Sequence, residues 1–531
     1  MKVWGGKDQP SHKRNKYPYD EEEDFVDWNS VWEKEDYLYS REIEDEQDET
    51  DDFEEAYEIA PRPRRQTAPA RDKQPAAQHS ARRKVKKRRA EPEVEAPKAR
   101  RSAYAEEKSN ARRRVHEEEI PKPRREKATA EAQKSRRGKK QKGKKKRHVL
   151  RKLITAVVLL GSIYSILVFS DIPFIAKWRA IYIETAMSTM THQWLATAFI
   201  PKSVIDQVMS DRYLLDEEQT GLVSNWSNAK FGFDSQKPWE SDRDYFFRVF
   251  HEVDESSFDS YAEKHKDEVY AKDGTVKLDK AGLKDGGTDI KTKQGDEVVA
   301  IDAENGILIV KVTGDGFVGK LAIIKDPAQV GIGLAKNFGT KGGGIEKLVN
   351  YNDAILGINA SGFEDPNGTG NGGKAYGLVI SNGKIYQDMI GSANKVIGFD
   401  EKNRLHIGQY KSLSGFRDAV EFKPALIING EQLVHSSAGW GIQPRSAIGQ
   451  TARGEVLLLI IDGRAPGYSI GATLGDCADI LKKYDAVQAC NLDGGSSSIM
   501  YYNGREITKP SAANKVKGRA IPDGFMVYAK K

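Results

Sequence analysis

Between Leu153 and Ser170 the chain reads LITAVVLLGSIYSILVFS, about eighteen residues without a charge. That is near the lower limit for a helix that crosses the roughly 30 Å of hydrocarbon in a bilayer. The run starts about 150 residues into the chain and has no small-residue cleavage site behind it, so it reads as an uncleaved anchor rather than a signal peptide. Just before it lies KSRRGKKQKGKKKRHVLRK, from Lys134 to Lys152. A basic flank stays on the cytoplasmic side, which puts everything after Asp171 outside. This division constrains the chain more than any other feature: residues 1–150 and 172–531 fold in different compartments, and 151–171 is the transmembrane helix between them.

The cytoplasmic part shows no sign of a core. Asp20 to Glu58 is strongly acidic, with Trp28, Trp32, Tyr37, Tyr39 and Phe53 interleaved, and Ala60 to Arg147 is rich in Arg, Lys, Pro, Ala and Glu. Neither stretch has the apolar content to offset the entropy of ordering, so both are expected to be disordered tail. The sequence does not identify partners for this tail. The Lys/Arg cluster is read as a topology signal that also touches anionic headgroups, not as a nucleic-acid site. Cys477 and Cys490 both fall outside the membrane and are read as two small buried residues rather than a disulfide.

From Ile172 to about Met209 aromatic and aliphatic residues alternate with few breaks, which suits a helical stalk at or rising from the membrane surface. Residues 210–295 are polar and lack a strong period, and are expected to be a spacer with local helix. Strand-like runs follow: Gly306 to Val312, Gly319 to Lys325, Ala354 to Asn359, Gly377 to Ile380, Lys384 to Gln387, Leu405 to Gly408, Ala425 to Ile428, Arg445 to Gln450 and Val456 to Asp462. Asn382-Gly383 and Asn429-Gly430 between such runs signal tight hairpins. Two helices are expected, near Gly344 to Asn350 and over Thr473 to Tyr484, the second with Leu474, Cys477, Ala478 and Leu481 on one stripe. The fold class is α+β: a β-rich twisted sheet with packed helices, spanning 296–531.

Four loops at the ends of apolar runs carry residues suited to chemistry. They are Ile358-Asn359-Ala360-Ser361-Gly362-Phe363, Gly439-Trp440-Gly441-Ile442-Gln443-Pro444-Arg445-Ser446-Ala447-Ile448-Gly449, Ile461-Asp462-Gly463-Arg464-Ala465-Pro466-Gly467-Tyr468-Ser469, and Asn491-Leu492-Asp493-Gly494-Gly495-Ser496. In the last, a carboxylate is followed by residues with almost no side chain, which permits close ligand approach; Asp-Gly is equally an ordinary turn signal. Taken in this order, from about Glu297 to the C-terminus, the four motifs resemble the phosphodiester glycosidase family. One departure stands out: where the family commonly has Ala-Gly-Phe-Phe after the first Asn, this chain has Ala-Ser-Gly-Phe-Glu, which leaves the role of Glu364 open.

The resemblance implies removal of a sugar from a sugar-1-phosphodiester, and the residue types agree with that chemistry. A departing phosphate needs charge neutralisation more than protonation, and Arg445 and Arg464 offer permanently charged planar forks; an ion pair with Asp462 or Asp418 is the structural alternative for each. A positively charged sugar transition state calls for a carboxylate, and water calls for a base. Asp493 and Asp462 are the candidate catalytic pair, with base and stabiliser unassigned between them. Asn359 is expected to hold sugar hydroxyls, and Gly494, Gly495, Ser496 and Ser497 to line the phosphate side.

No cofactor or metal is expected. Asp365, Asn367, Thr369 and Asn371 imitate the start of a calcium loop, but the twelfth position is Tyr376 and a strand follows. His435 has no His or Cys partner at ligand spacing. Three readings stay open: an extracytoplasmic hydrolase acting on envelope glycan, exopolysaccharide or teichoic-type polymer; a non-catalytic glycan-binding or scaffold protein; and a membrane-anchored glycopolymer phosphotransferase.

Overall fold

The computed structural model describes residues 126–530 apart from 190–191, 227–235, 273, 275, 277–287, 366–369, 391–392 and 512–517, with backbone only for 126–147. The acidic stretch and most of the basic one lie outside the described residues. The helix Glu126–Phe169 contains the uncharged run, and its part from His148 to Phe169 is long and apolar enough to cross a membrane. Nearly all of its apolar side chains in that part are exposed.

Pro173 then opens the helix Pro173–Met187, where a missing N–H leaves no bond unmade. Trp194–Thr197 and Lys202–Glu218 follow. These helices share a small core of Ile183, Ala186, Ala196 and Ile205, so the stalk is a packed helical unit.

The strand Val456–Ile461 explains the rest of the architecture. Its sequence VLLLII is buried throughout, and because side chains alternate between faces it feeds two cores. Leu457, Leu459 and Ile461 join one with Leu474, Cys477, Ala478 and Leu481 of the helix Leu474–Lys483. Val456, Leu458 and Ile460 join the other with Leu356, Ile358, Ile397, Val420, Met500 and Phe525. At about 1.5–3 kcal/mol for each fully buried aliphatic side chain, such a strand must be central.

It lies within an eight-stranded antiparallel sheet with the spatial order Glu297–Asp302, Ile307–Gly314, Phe317–Ile324, Val456–Ile461, Arg445–Thr451, Ala486–Leu492, Ala425–Ile428 and Glu431–Gln432. Helices cover one face. Two five-stranded sheets pack on the other: one contains Lys395–Asp400 and Phe416–Phe422, the other Leu356–Asn359, Met500–Tyr502 and Asp523–Val527. Both expected Asn-Gly turns form, with positive φ at Asn382, Gly383, Asn429 and Gly430. The expected helices appear as Ile345–Tyr351 and Leu474–Lys483, the latter opened by a reciprocal Thr473–Asp476 capping box. The two cysteines are buried and unpaired with each other.

One expectation changes. Within 210–295, the helices Asp242–Val249 and Glu255–Lys264 pack Phe246, Phe250 and Phe258 with ring centroids 5.0 Å apart, and these residues belong to the helix-side core of the large sheet. The apolar period was obscured because it is divided among short helices separated by polar loops. A buried ion network secures this attachment: Lys325 Nζ lies 2.5 Å from Glu252 and 3.0 Å from Glu455, and His251 lies 2.8 Å from Glu455. His251, Glu252 and Glu455 are grouped closely enough to hold a metal ion, but the Lys325 ammonium already sits among them.

Phe258→Ala is expected to lower the free energy of unfolding of the full chain by about 3–5 kcal/mol, the usual range for a buried Phe. The urea midpoint measures it. An unchanged midpoint would mean that 242–290 is a spacer after all.

Candidate active site

The strand register gathers the predicted residues at one end of the large sheet. Arg445 pairs with Ile461 across one ladder, and Ser446 pairs with Leu492 across the next. Asp462, Arg445 and Asp493 therefore emerge side by side from three adjacent strands. The second sheet joins them there: the Asp493 N–H donates to the Ala360 carbonyl at 3.1 Å.

Asn359 ends the strand Leu356–Asn359 and clamps the Asp493 loop. Its Nδ2 donates to the Asp493 carbonyl at 2.6 Å, and its Oδ1 accepts from Ser446 Oγ at 2.8 Å and Ile499 N at 3.3 Å. With both ends of the amide bound and the side chain buried, Asn359 positions the loop; it does not reach a sugar directly. Gly495 has φ +63 and donates its N–H to the Pro444 carbonyl at 2.9 Å. At Gly494 a Cβ would come within 2.9 Å of that same carbonyl, so Gly494 is required by the close approach of the two loops and Gly495 by its positive φ. Ser497 donates its hydroxyl to the Asp493 carboxylate, while Ser496 is half-exposed at the loop's tip.

Asp493 is half-exposed at its surface yet enclosed by surrounding atoms. Burial pushes its carboxyl up to about 7; the Ser497 hydrogen bond and the Arg519 charge pull it down, and Asp365 pushes it up again. A carboxylate is thereby held near half-ionisation at neutral pH, a condition that suits proton transfer.

Asp462 is held differently. It is fully buried, its Oδ1 accepts from Lys509 N at 2.9 Å, and its Oδ2 accepts from the Tyr468 hydroxyl at 2.6 Å. Burial raises its carboxyl, opposed by those bonds and by Lys320 and Lys509. Both oxygens are engaged in fixing the 463–469 loop and the strand-end segment at Lys509.

The two arginines meet on one loop. Buried Arg445 donates from Nη2 to the Trp440 and Gly441 carbonyls at 2.9 and 2.8 Å and from Nε to Ala472 O at 3.3 Å. Desolvation lowers it to about 10, with some opposition from Cys477 and help from Arg464. Arg464 is half-buried and donates from Nη2 to Ile442 O at 2.9 Å. The ion pairs weighed as alternatives do not form: Asp418 pairs with Arg417 at 2.9 Å, and Asp462 is bound as described. Arg445 is thus enclosed by backbone carbonyls, whereas Arg464 is half-buried with one carbonyl partner for its guanidinium among the described residues.

The stalk reaches this loop too. Gly441 N donates to Glu184 Oε2 at 3.1 Å, Ile442 N donates to Thr185 Oγ1 at 2.9 Å, and the Arg212 guanidinium lies 3.8 Å above the Trp440 ring. Gly441 has φ +60, and a Cβ there would lie 2.5 Å from Thr185 N.

Three site residues escape a sequence reading. Arg519 donates to Asp365 Oδ2 and to Gly370 O, lies 4.7 Å from the centre of the Phe363 ring, and acts on Asp493. Asp523 is buried beside the departure from the family pattern: its Oδ1 accepts from Ser361 N at 2.9 Å, and burial pushes it up to about 6. Glu184 is the third, raised by burial inside the Trp440 loop. Glu364 pairs with Lys374 at 2.7 Å on the surface. In the calcium-like run, Asp365 is bound by Arg519 and Gly370 N, and Asn367 and Thr369 lie outside the described residues. His435 is exposed.

The family model for phosphodiester glycosidases matches residues 352–528. Over 70 residues the chain is 39% identical to the cattle N-acetylglucosamine-1-phosphodiester alpha-N-acetylglucosaminidase, a segment amounting to 13% of each protein. The human enzyme gives the same figures. Over 172 residues it is 27% identical to the SPbeta prophage-derived protein YomE of Bacillus subtilis strain 168, covering 30% of this chain and 26% of that one. The chain therefore spans only a small part of the length of these relatives. Among solved structures, the zebrafish N-acetylglucosamine-1-phosphodiester alpha-N-acetylglucosaminidase catalytic domain, auto-inhibited by its pro-peptide, aligns with 20% identity and a TM-score of 0.36, covering 42% of this chain and 82% of that one. The span matched by the phosphodiester glycosidase family model, 352–528, includes all four motifs.

Arg519→Gln removes a charge that lowers Asp493, so the Asp493 carboxyl is expected to titrate above its value of about 7, as followed by carboxyl carbon NMR. Asn359→Ala leaves the Asp493 carbonyl and the Ser446 hydroxyl without their partner and is expected to lower stability by about 1–3 kcal/mol, read from denaturant unfolding.

Proposed function

We propose that the chain is a membrane-anchored hydrolase that removes the sugar from a sugar-1-phosphodiester outside the cell, with envelope glycan, exopolysaccharide or a teichoic-type polymer as the natural substrate class. The domain at 352–528 supports phosphodiester glycosidase-like chemistry. The helix from His148 to Phe169 supports anchoring, and the basic flank at Lys134 to Lys152 supports a cytoplasmic N-terminus. One observation carries the catalytic reading: Asp493, half-exposed at the meeting of three strand ends, has a carboxyl pushed up to about 7.

Phosphate leaves readily as an anion, so the reaction needs a base for water more than an acid for the leaving group. Asp493 takes a proton from water as the water oxygen bonds to the anomeric carbon. The bond from that carbon to the phosphate oxygen breaks, and the bonding pair leaves with the phosphate. The products are the free sugar and a phosphate monoester. Arg464, half-buried beside the Asp462 turn, neutralises the departing charge. Arg445 holds the loop beneath Arg464, Asn359 holds the loop of Asp493, and Asp462 supports the 463–469 turn that carries Arg464.

The sign of the pH dependence follows. The working form of Asp493 is the ionised one, and it is lost as pH falls through about 7. kcat/KM on a sugar-1-phosphate methyl ester is expected to climb through that range to a plateau on the alkaline side. Asp493→Asn should remove this limb and lower the rate by about 10²–10⁴-fold. A profile flat from pH 6 to 8, or an Asp493→Asn variant with the parent rate, would refute the assignment; failure to hydrolyse any such diester, with glycan binding intact, would favour a binding protein instead.

A further inference from the structure

Most large apolar side chains beyond the 148–169 segment are buried, but the first stalk helices expose a cluster of aromatics. Phe174 is 72% exposed, Trp178 50%, Tyr182 44%, Trp194 55% and Phe199 60%. Phe174, Trp178 and Tyr182 stand at i, i+4 and i+8, so they form one stripe along the helix. Lys177 beside them is also exposed. Amphipathic rings with a neighbouring cation are what the headgroup boundary of a bilayer accommodates.

Two sets of hydrogen bonds fix the depth of this surface. The Tyr164 hydroxyl donates to the Phe199 carbonyl at 2.9 Å. Tyr164 lies five residues before the end of the apolar helix at Phe169, about 7–8 Å along its axis. The short helix at Trp194 to Thr197 is therefore level with the last turns of the span, not raised above them. Arg179 Nη1 donates to the Val168 and Ser170 carbonyls, each at 2.9 Å, closing the end of the span with a cation and folding Pro173–Met187 back against it. The same helix ends in the catalytic domain, where Glu184 and Thr185 bind the Gly441 and Ile442 N–H groups. Phe174 and Glu184 are about 15 Å apart along that helix.

We propose that the exposed aromatic surface of 174–199 rests in the bilayer interface and, through the Glu184 and Thr185 contacts, holds the Trp440 loop next to the headgroup layer, so that the site acts on sugar phosphodiesters whose other ester carries a membrane-embedded hydrocarbon chain. The occupant of this surface is lipid, because the surface is hydrogen-bonded to the last turns of the apolar helix and lies level with them. The substrate part rests on the hydrolase reading above.

The full chain in nanodiscs provides the test. Lipids brominated near the headgroup end of the acyl chain should quench part of the tryptophan fluorescence, and a Trp178→Phe/Trp194→Phe variant should lose at least half of that quenching. Equal quenching in parent and variant overturns the surface. For the substrate, a sugar-1-phosphate long-chain alkyl ester in the same discs is compared with the soluble methyl ester. A Trp178→Asp/Trp194→Asp variant should turn over the soluble ester at the parent rate, which also reports intact folding, and the membrane-borne ester at least about tenfold more slowly. Equal loss on both esters, or on neither, overturns the substrate part. Differential quenching with no hydrolysis of either ester by the parent supports the surface and sinks the hydrolase reading on which the substrate part rests.

Discussion

Three neighbouring strands, Val456–Ile461, Arg445–Thr451 and Ala486–Leu492, are enclosed on both faces by apolar cores. A strand in that position has little room for a charge along its length, so ionisable groups collect where it ends. Asp462 and Asp493 stand immediately after two of these strands, and Arg445 at the start of the third. The antiparallel register brings those three ends to one edge. The site is thus a consequence of the sheet: the same burial that makes the strands central leaves their termini as the place where polar chemistry can be assembled.

At that edge, burial has a different result for each charge. Asp462 and Arg445 have their polar atoms engaged by backbone and hydroxyl partners, and removing either would leave loops without their anchors. Asp493 also has two hydrogen-bond partners, Ser497 and the Gly494 backbone, but desolvation outweighs them and raises its affinity for a proton to about 7, while part of the residue stays exposed. Arg519 moderates this: bound to Asp365 by a hydrogen bond, it remains close enough to lower Asp493. A base that was fully paired would titrate far below neutrality, and one with no cation nearby would stay protonated. The arrangement lies between these limits.

Much of this was legible in the sequence, and the reasons are local. Asn382-Gly383 and Asn429-Gly430 adopt the positive-φ turns their residue types favour, Thr473 caps the helix its position announces, and the four loops at strand ends do gather, because alternation and burial are encoded in neighbouring residues. What was not legible depends on distance along the chain. Arg519 gains its meaning from Asp365, 154 residues away; Ser361 from Asp523, 162 away; and Glu184 from Gly441, 257 away. An isolated Gly-Arg-Ala or Pro-Asp-Gly has no feature that distinguishes it from any surface turn. That the local helices of 242–269 pack into the core was missed for a related reason, since segments of eight and ten residues show too little periodicity to reveal a buried face.

The connection between stalk and loop links the two ends of this structure. Glu184 is buried, and burial raises its carboxyl even though Ser437, Gly441 and Gly439 hydrogen-bond to it. A buried carboxyl in such a place is unfavourable unless its acceptors are satisfied, and the partners come from the loop that also receives the Arg445 and Arg464 guanidinium groups. Each side therefore depends on the other. Without the loop, Glu184 would be an uncompensated buried acid; without Glu184 and Thr185, the Gly441 and Ile442 N–H groups would lose their acceptors, and two arginines would face each other with less negative potential between them. A flexible tether would need no such contact. The physical content of the stalk is orientation: it joins a helix fit for a membrane to the backbone that supports the site's cations, so the position of the loop follows from the position of the helix.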